Sequence, residues 1–246
     1  MNLPDLLHSD CALFLDFDGT LVDIAPRPEA VHVPEGLVDT LDATCQWLGG
    51  AVAVISGRPI AQIDELLQPL RLCAAGVHGV ERRRADGSLV LLETEAPAQV
   101  EEAARALAGQ HPGLQVEAKR GSVALHYRRA PELESLCLQA MQAAVEATPG
   151  LALLRGKMVF EAKPARASKA HAIEDFLDEP PFHGRRPVFI GDDVTDEVGF
   201  GMVQRLGGLG IKVGEGDSVA THRLPSPAAM REQLEAVLGR AAGGAS

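Results

Sequence analysis

Several stretches of this chain are apolar at consecutive positions and stop abruptly at polar residues. Ala12–Leu15, Ala51–Ile55, Leu72–Ala75 and Pro187–Ile190 are the clearest. Runs of this kind mark strands buried on both faces of a parallel sheet, because a strand with one wet face would alternate. Helical patterns separate them. Over residues 35–48, Leu37, Leu41, Cys45 and Leu48 share one face, Pro34 and Glu35 suit a first turn, and Gly49-Gly50 end the segment. Ile60–Leu67 predicts a short helix, and Ser168 is placed to cap another that runs to about Leu177. Gly208–Val213 and Ala220–Leu224 predict two more strands, and Pro227–Leu238 a closing helix. Strand and helix alternating at this spacing imply right-handed βαβ crossovers in a doubly wound parallel sheet, an α/β fold. Sites in such sheets lie beyond the carboxyl ends of the strands.

Two departures interrupt this rhythm. Glu81–Arg84 and Ser88–Leu92, split by Ala85-Asp86-Gly87, predict a β-hairpin. From residue 96 to 163 the order becomes helix (97–109), strands (115–118, 122–127), helix (131–147), strands (151–154, 158–162). That order predicts a small α+β domain inserted into a core formed by residues 1–95 and 164–246. Charged residues gather at the insert's strand ends: Glu117, Lys119 and Arg120, then His126 and Arg128, then Arg155 and Lys157, then Glu161 and Lys163. A solvated hairpin face accounts for any one of these. Glu and Lys spaced by two, twice, also put carboxylates and ammoniums on common faces, able to bond sugar hydroxyls and reach a phosphate. Ala241–Ser246 reads as a disordered tail.

Composition narrows the classes. The 246 residues are 46% apolar and 23% charged, enough for a full core. A net charge of −11 leaves no basic surplus for nonspecific nucleic-acid binding. Cys11, Cys45, Cys73 and Cys137 are scattered, with no CxxC pair and no zinc spacing, and read as reduced thiols. No basic N-terminal region or membrane-length apolar run appears, so a cytoplasmic protein without a membrane partner is expected. A monomer is expected because no large apolar helix face is left over.

The chemistry concentrates where the apolar runs end. The first runs into Asp16-Phe17-Asp18-Gly19-Thr20. Period-two alternation turns Asp16 and Asp18 to one side and Phe17 to the other, so two carboxylates repel unless a cation lies between them. Gly19 allows a steep turn, and Thr20 offers a hydroxyl. The second run ends in Ser56-Gly57-Arg58-Pro59, where a hydroxyl and a cation suit an anion, although Ser56 as a helix cap accounts for the same residues. His78, after the third run, is a structural histidine or touches the site. Lys169 in the first turn of its helix opposes the helix dipole, which points to another partner: a phosphate or the Asp16 carboxylate. The fourth run ends in Gly191-Asp192-Asp193-Val194-Thr195-Asp196-Glu197, strongly self-repelling unless a cation is bound. Hard carboxylate oxygens favour Mg²⁺ over zinc.

The Asp16-to-Leu21 motif resembles the nucleophile motif of the haloacid dehalogenase superfamily, and the four motifs keep that superfamily's order along the whole chain. Ser-Gly-Arg, Gly-x-His-Gly, the insert's His-Tyr-Arg, Glu-x-Lys-Pro, and above all Gly-Asp-Asp-x-Thr-Asp-Glu resemble its trehalose-6-phosphate phosphatase family. The resemblance implies a Rossmann-like core whose insert is a cap, closing over a phosphorylated disaccharide. It implies that Asp16 is the nucleophile and Asp18 the general acid and base. Mg²⁺ would be held by Asp16, the backbone carbonyl of Asp18, and Asp192, with Asp196 behind them. Thr20, Ser56 and Lys169 would hold the phosphoryl oxygens with the turn's backbone amides, including Gly19. Arg58 and the cap residues Glu117, Lys119, Arg128, Glu161 and Lys163 would bind substrate. Another sugar phosphate, such as sucrose phosphate or a mannosyl phosphate, would need the same core; a catalytically silent binder is the reading from another class.

Overall fold

The computed structural model describes residues 2–25, 27, 30–92, 98–119, 121–156 and 158–243. The chain divides into two compact units, residues 1–91 with 168–246 and residues 92–167. The first begins with β1 (Cys11–Leu15), α1 (Leu37–Trp47), β2 (Val52–Ile55), α2 (Ile60–Leu66), β3 (Cys73–Gly76), β4 (Glu81–Arg83) and β5 (Leu89–Leu91). The second holds α3 (Ala98–Gln110), β6 (Gln115–Lys119), β7 (Ser122–His126), α4 (Glu134–Glu146), β8 (Leu151–Gly156) and β9 (Val159–Pro164). The chain then returns through α5 (Lys169–Leu177), β10 (Arg186–Gly191), α6 (Glu197–Arg205), β11 (Leu209–Val213), β12 (His222–Leu224) and α7 (Pro227–Gly243).

The first unit is a single sheet in the order β12-β11-β10-β1-β2-β3-β4-β5. Its strands are parallel from β12 to β3, and β4 and β5 add antiparallel at one edge. The apolar runs are buried on both faces because each face has its own helices. Leu13, Leu15, Val52 and Val54 pack with Leu37 and Leu41 of α1, Ile63 of α2 and Leu234 of α7. Ala12, Phe14, Ala53 and Ile55 pack on the opposite side with Ile173 and Phe176 of α5 and Phe200 of α6. Phe14 stacks on Phe182 at 5.4 Å between ring centroids. This alternation fixes which side of β1 each residue beyond it takes. Phe17 joins the α1 and α7 side, and Asp16 therefore faces the side of α5.

The second unit is a four-stranded antiparallel sheet, β6-β7-β9-β8. Val123, Leu125, Phe160 and Ala162 face Val100 and Ala104 of α3 and Cys137 and Met141 of α4. The alternate positions, Ser122, Ala124, His126, Glu117, Glu161 and Lys163, form the other face.

Several expected boundaries move. The predicted disordered tail begins inside α7, which runs to Gly243; Ala241 and Ala242 are strong helix formers, and Arg240 is fixed to Asp5 and to the Pro4 carbonyl. Residues 244–246 lie outside the described residues. The expected strand at Ala220–Leu224 shortens to β12, because Ala220 and Thr221 give their amides to Ser218 and Gln204 side chains instead of a ladder. The helix expected at 131–147 opens as a 3₁₀ turn over Pro131–Leu133.

The predicted hairpin became part of the main sheet through charges that periodicity does not register. Arg83, buried, donates to both Asp64 oxygens at 2.6 and 2.7 Å and to the Leu72 carbonyl at 2.8 Å. Arg82 donates to Glu179 at 2.9 and 3.1 Å and lies over the Phe176 ring. Arg83→Ala should therefore cost about 2–4 kcal/mol in urea melts, somewhat below a fully buried pair because Asp64 keeps some solvent. A loss under roughly 0.5 kcal/mol, the size of a surface change, would show that the clamp contributes little.

Candidate active site

β1 and β10 are neighbours in the sheet, so the residues that follow them converge. Asp16 continues β1 and is 4% exposed. Lys169 opens α5, which packs on the same side; Ser168 caps that helix by accepting from the His171 amide at 3.2 Å. The Lys169 ammonium donates to Asp16 Oδ1 at 2.7 Å and to Asp196 Oδ1 at 2.6 Å. Asp196, with no exposed surface, spends its other oxygen on the Asp192 and Asp193 amides at 3.0 and 2.9 Å. The turn after β10 is thus tied around one carboxylate. Asp193 caps it with its own side chain and stays outside the cluster.

Two glycines permit this crowding. Gly19 has φ +80°, and a Cβ there would lie 2.1 Å from Asp192 Oδ2. A Cβ on Gly191 would lie 2.5 Å from the Asp196 carboxyl carbon. Ligand atoms of Asp16, Asp192 and Asp196 all lie within 4.8 Å of one another. Asp192 Oδ1 and Thr20 Oγ1 are buried with no hydrogen-bond partner among the described residues. An all-oxygen donor set with an unsatisfied carboxylate oxygen fits a hard divalent cation.

Electrostatics agrees with this fit. Burial pushes Asp16 from 3.8 up to about 7; Lys169 works against that shift and the Asp192 carboxylate adds to it. Burial and then Asp16 push Asp196 up to about 6. Burial raises Asp192 as well. Lys169 is held above its ordinary value, because the two carboxylates outweigh its own desolvation. One ammonium does not balance three crowded carboxylates, so the cluster holds a proton or a further cation.

The other expected residues fall into two groups. Asp18 is not in the acidic cluster: Arg58 donates to its two oxygens at 2.6 and 2.7 Å. The expected Asp16–Asp18 repulsion is thus relieved by separate cations, Lys169 for one and Arg58 for the other, and Arg58, expected on substrate, holds Asp18. Ser56 is buried, and its Oγ accepts from the Arg58 amide at 3.1 Å. The His78 ring lies against Gly57, where a Cβ would meet it at 2.8 Å.

Glu117, Glu161 and Lys163 lie on the polar sheet face of the second unit, at alternate positions of β6 and β9. Arg128, just beyond β7, lines a cavity of about 490 Å³ with Glu117 and His126. The side chain of Lys119, together with Arg120 and Lys157, lies outside what is described. Lys212 went unpredicted. Its ammonium donates to the Asp192 carbonyl and to the Val213 carbonyl, bracing the turn after β10 from β11. The signal was a lone lysine within the otherwise apolar Leu209–Val213.

A sequence model of the trehalose-phosphatase family matches residues 14–228. The chain belongs to the trehalose-phosphatase family. It is similar to the trehalose-6-phosphate phosphatase of Escherichia coli K12, at 42% identity over 89% of this chain and 83% of that one. A probable trehalose-phosphate phosphatase of Sinorhizobium fredii NGR234 is 44% identical over 92% of this chain and 87% of its own length. Among solved structures, trehalose-6-phosphate phosphatase of Aspergillus fumigatus shares the fold, with a TM-score of 0.77, 24% identity, and coverage of 94% and 93% of the two chains. Among the described residues of this trehalose-phosphatase family member, no helix is long and apolar enough to cross a membrane.

The raised carboxylates give a prediction with a definite sign. A folded-state value above the unfolded one means the folded chain binds the extra proton, so stability falls as pH rises from about 4 through about 7. A cation that replaces the proton removes this penalty, and its binding releases protons. Mg²⁺ should therefore raise the melting temperature over EDTA more at about pH 8 than at about pH 5. Equal stabilisation at both values would mean that Mg²⁺ binds elsewhere.

Proposed function

We propose that this protein hydrolyses trehalose 6-phosphate to trehalose and phosphate, with Mg²⁺ as cofactor and an aspartyl-phosphate on Asp16 as intermediate. The observation that carries the reading is the buried Asp16–Lys169–Asp196 chain with Asp192 beside it, in a member of the trehalose-phosphatase family.

In this mechanism a carboxylate oxygen of Asp16 attacks phosphorus while the bond from phosphorus to the sugar oxygen breaks. Lys169 fixes the orientation of that carboxylate by holding Oδ1. Asp18 protonates the departing sugar oxygen, then takes a proton from the water that attacks the aspartyl-phosphate. That second step regenerates Asp16 and releases phosphate. Arg58 holds both Asp18 oxygens in this structure, so one of them has to leave the guanidinium for Asp18 to carry the proton. Thr20, whose buried hydroxyl lacks a partner, holds the phosphoryl oxygens with Ser56, Lys169 and the turn amides around Gly19. Mg²⁺, held by Asp16, Asp192 and the Asp18 carbonyl with Asp196 behind, supplies charge neutralisation and alignment when bound. The sugar is read by the polar sheet face of the second unit, through Glu117, Lys119, Arg128, Glu161 and Lys163. A cytoplasmic monomer is the proposed form, and the four free thiols support a reducing compartment.

The test is phosphate release from trehalose, sucrose, glucose and mannosylglycerate phosphates, each with Mg²⁺ and with EDTA. Release should favour trehalose 6-phosphate strongly and vanish in EDTA. Even release across the panel would keep the phosphatase chemistry and remove the substrate. Asp16→Asn should lower kcat by at least about 10³-fold without unfolding the protein; full activity in that variant would overturn the nucleophile.

A further inference from the structure

The polar face of the second unit's sheet is built symmetrically about Ala124. Across β7, Ala124 sits opposite Glu117 on β6 and opposite Glu161 on β9. Two carboxylates therefore flank a buried, methyl-sized residue, about 10 Å apart at the backbone, which is two strand spacings. Left to themselves they would sample many rotamers. Each is instead drawn diagonally to a different neighbour of Ala124. Ser122 is 1% exposed, and its hydroxyl donates to Glu161 Oε1 at 2.6 Å. His126 Nε2 lies 3.0 Å from Glu117 Oε2. Glu161 is thus pulled toward the start of β7 and Glu117 toward its end.

We infer that Ser122 and His126 are positioning residues for sugar recognition: they splay Glu117 and Glu161 along β7 and so set the spacing of the hydroxyl groups that the protein accepts. The inference rests on the proposed reading of the second unit as the sugar-binding unit. A carboxylate has about four acceptor sites, so one hydrogen bond fixes its direction and leaves capacity for sugar hydroxyls. The buried Ser122 hydroxyl, at the start of β7, is spent on Glu161. The His126–Glu117 pair is more exposed, and it borders the cavity that Arg128 lines.

The experiment compares Ser122→Ala, Ser122→Thr, His126→Ala and His126→Gln with the unaltered protein on three substrates. These are trehalose 6-phosphate, glucose 6-phosphate, and an aryl phosphate that carries no sugar hydroxyls. For each alanine variant, KM for trehalose 6-phosphate should rise about 3- to 10-fold with kcat within about twofold, the mark of lost binding common to ground and transition states. Preference over glucose 6-phosphate should fall in parallel, and aryl phosphate hydrolysis should not change. Thr at 122 and Gln at 126 keep a donor and should restore KM. Equal losses on the sugar and aryl substrates would mean a merely structural role and overturn the inference. So would alanine variants that match the unaltered protein. Absence of trehalose 6-phosphate turnover in the unaltered protein would instead remove the function proposed above, and this inference with it.

Discussion

The ammonium of Lys169 lies between Asp16 and Asp196, with almost no solvent on any of the three. Burying a charge is unfavourable unless partners replace the water it loses, and a buried pair broken on one side is strongly destabilising. The arrangement around Lys169 follows from that constraint. Ser168 starts α5 so that the next side chain reaches the end of β1. The turn after β10 wraps its amides onto Asp196, so the carboxylate that Lys169 shares is satisfied on its second oxygen as well. The missing side chains at Gly19 and Gly191 let two Asp residues approach the backbone to distances a Cβ would forbid. What this arrangement does not satisfy is equally informative. Asp192 Oδ1 and Thr20 Oγ1 are left buried without a partner among the described residues, and the proposed function would give them a cation and a phosphoryl group.

The apolar runs made the core legible because a parallel sheet needs continuous burial, and few other structures do. Asp16, Asp18, Ser56 and Asp192 were legible for a related reason: polar residues that end such runs have to lie at the rim where βα crossovers open. Lys169 was legible from a local misfit with its own helix dipole. Partner choice was not. Nothing in the spacing of Asp18 and Arg58 says that the guanidinium would take both carboxylate oxygens, since 40 residues of chain separate them and any anion would serve. Lys212 was hidden by the opposite problem: its neighbours are so apolar that the strand is obvious and its one charge reads as an exception. The edge hairpin β4–β5 was predicted as a hairpin, but its pairing with β3 is accompanied by contacts of Arg82 and Arg83 to Glu179, Asp64 and the Leu72 carbonyl that no local pattern announces. The closing helix outran its expected end for a similar reason, since Arg240 anchors it to residues at the chain's start.

The two units solve the problem of holding carboxylates in different ways, and the difference bears on how such a protein can change. In the first, Asp16 and Asp196 are buried against Lys169, so altering any of these three leaves a desolvated charge behind. In the second, Glu117 is exposed and Glu161 half-buried, and each meets a polar side chain of β7, His126 and Ser122 respectively. A substitution there redirects a carboxylate without stranding it. Rearranging the first set costs folding free energy, while rearranging the second costs one hydrogen bond, on the order of 1 kcal/mol. Under the proposed function, the chemistry would be fixed by the constraint of burial, and the choice of sugar would rest on contacts weak enough to be exchanged one at a time.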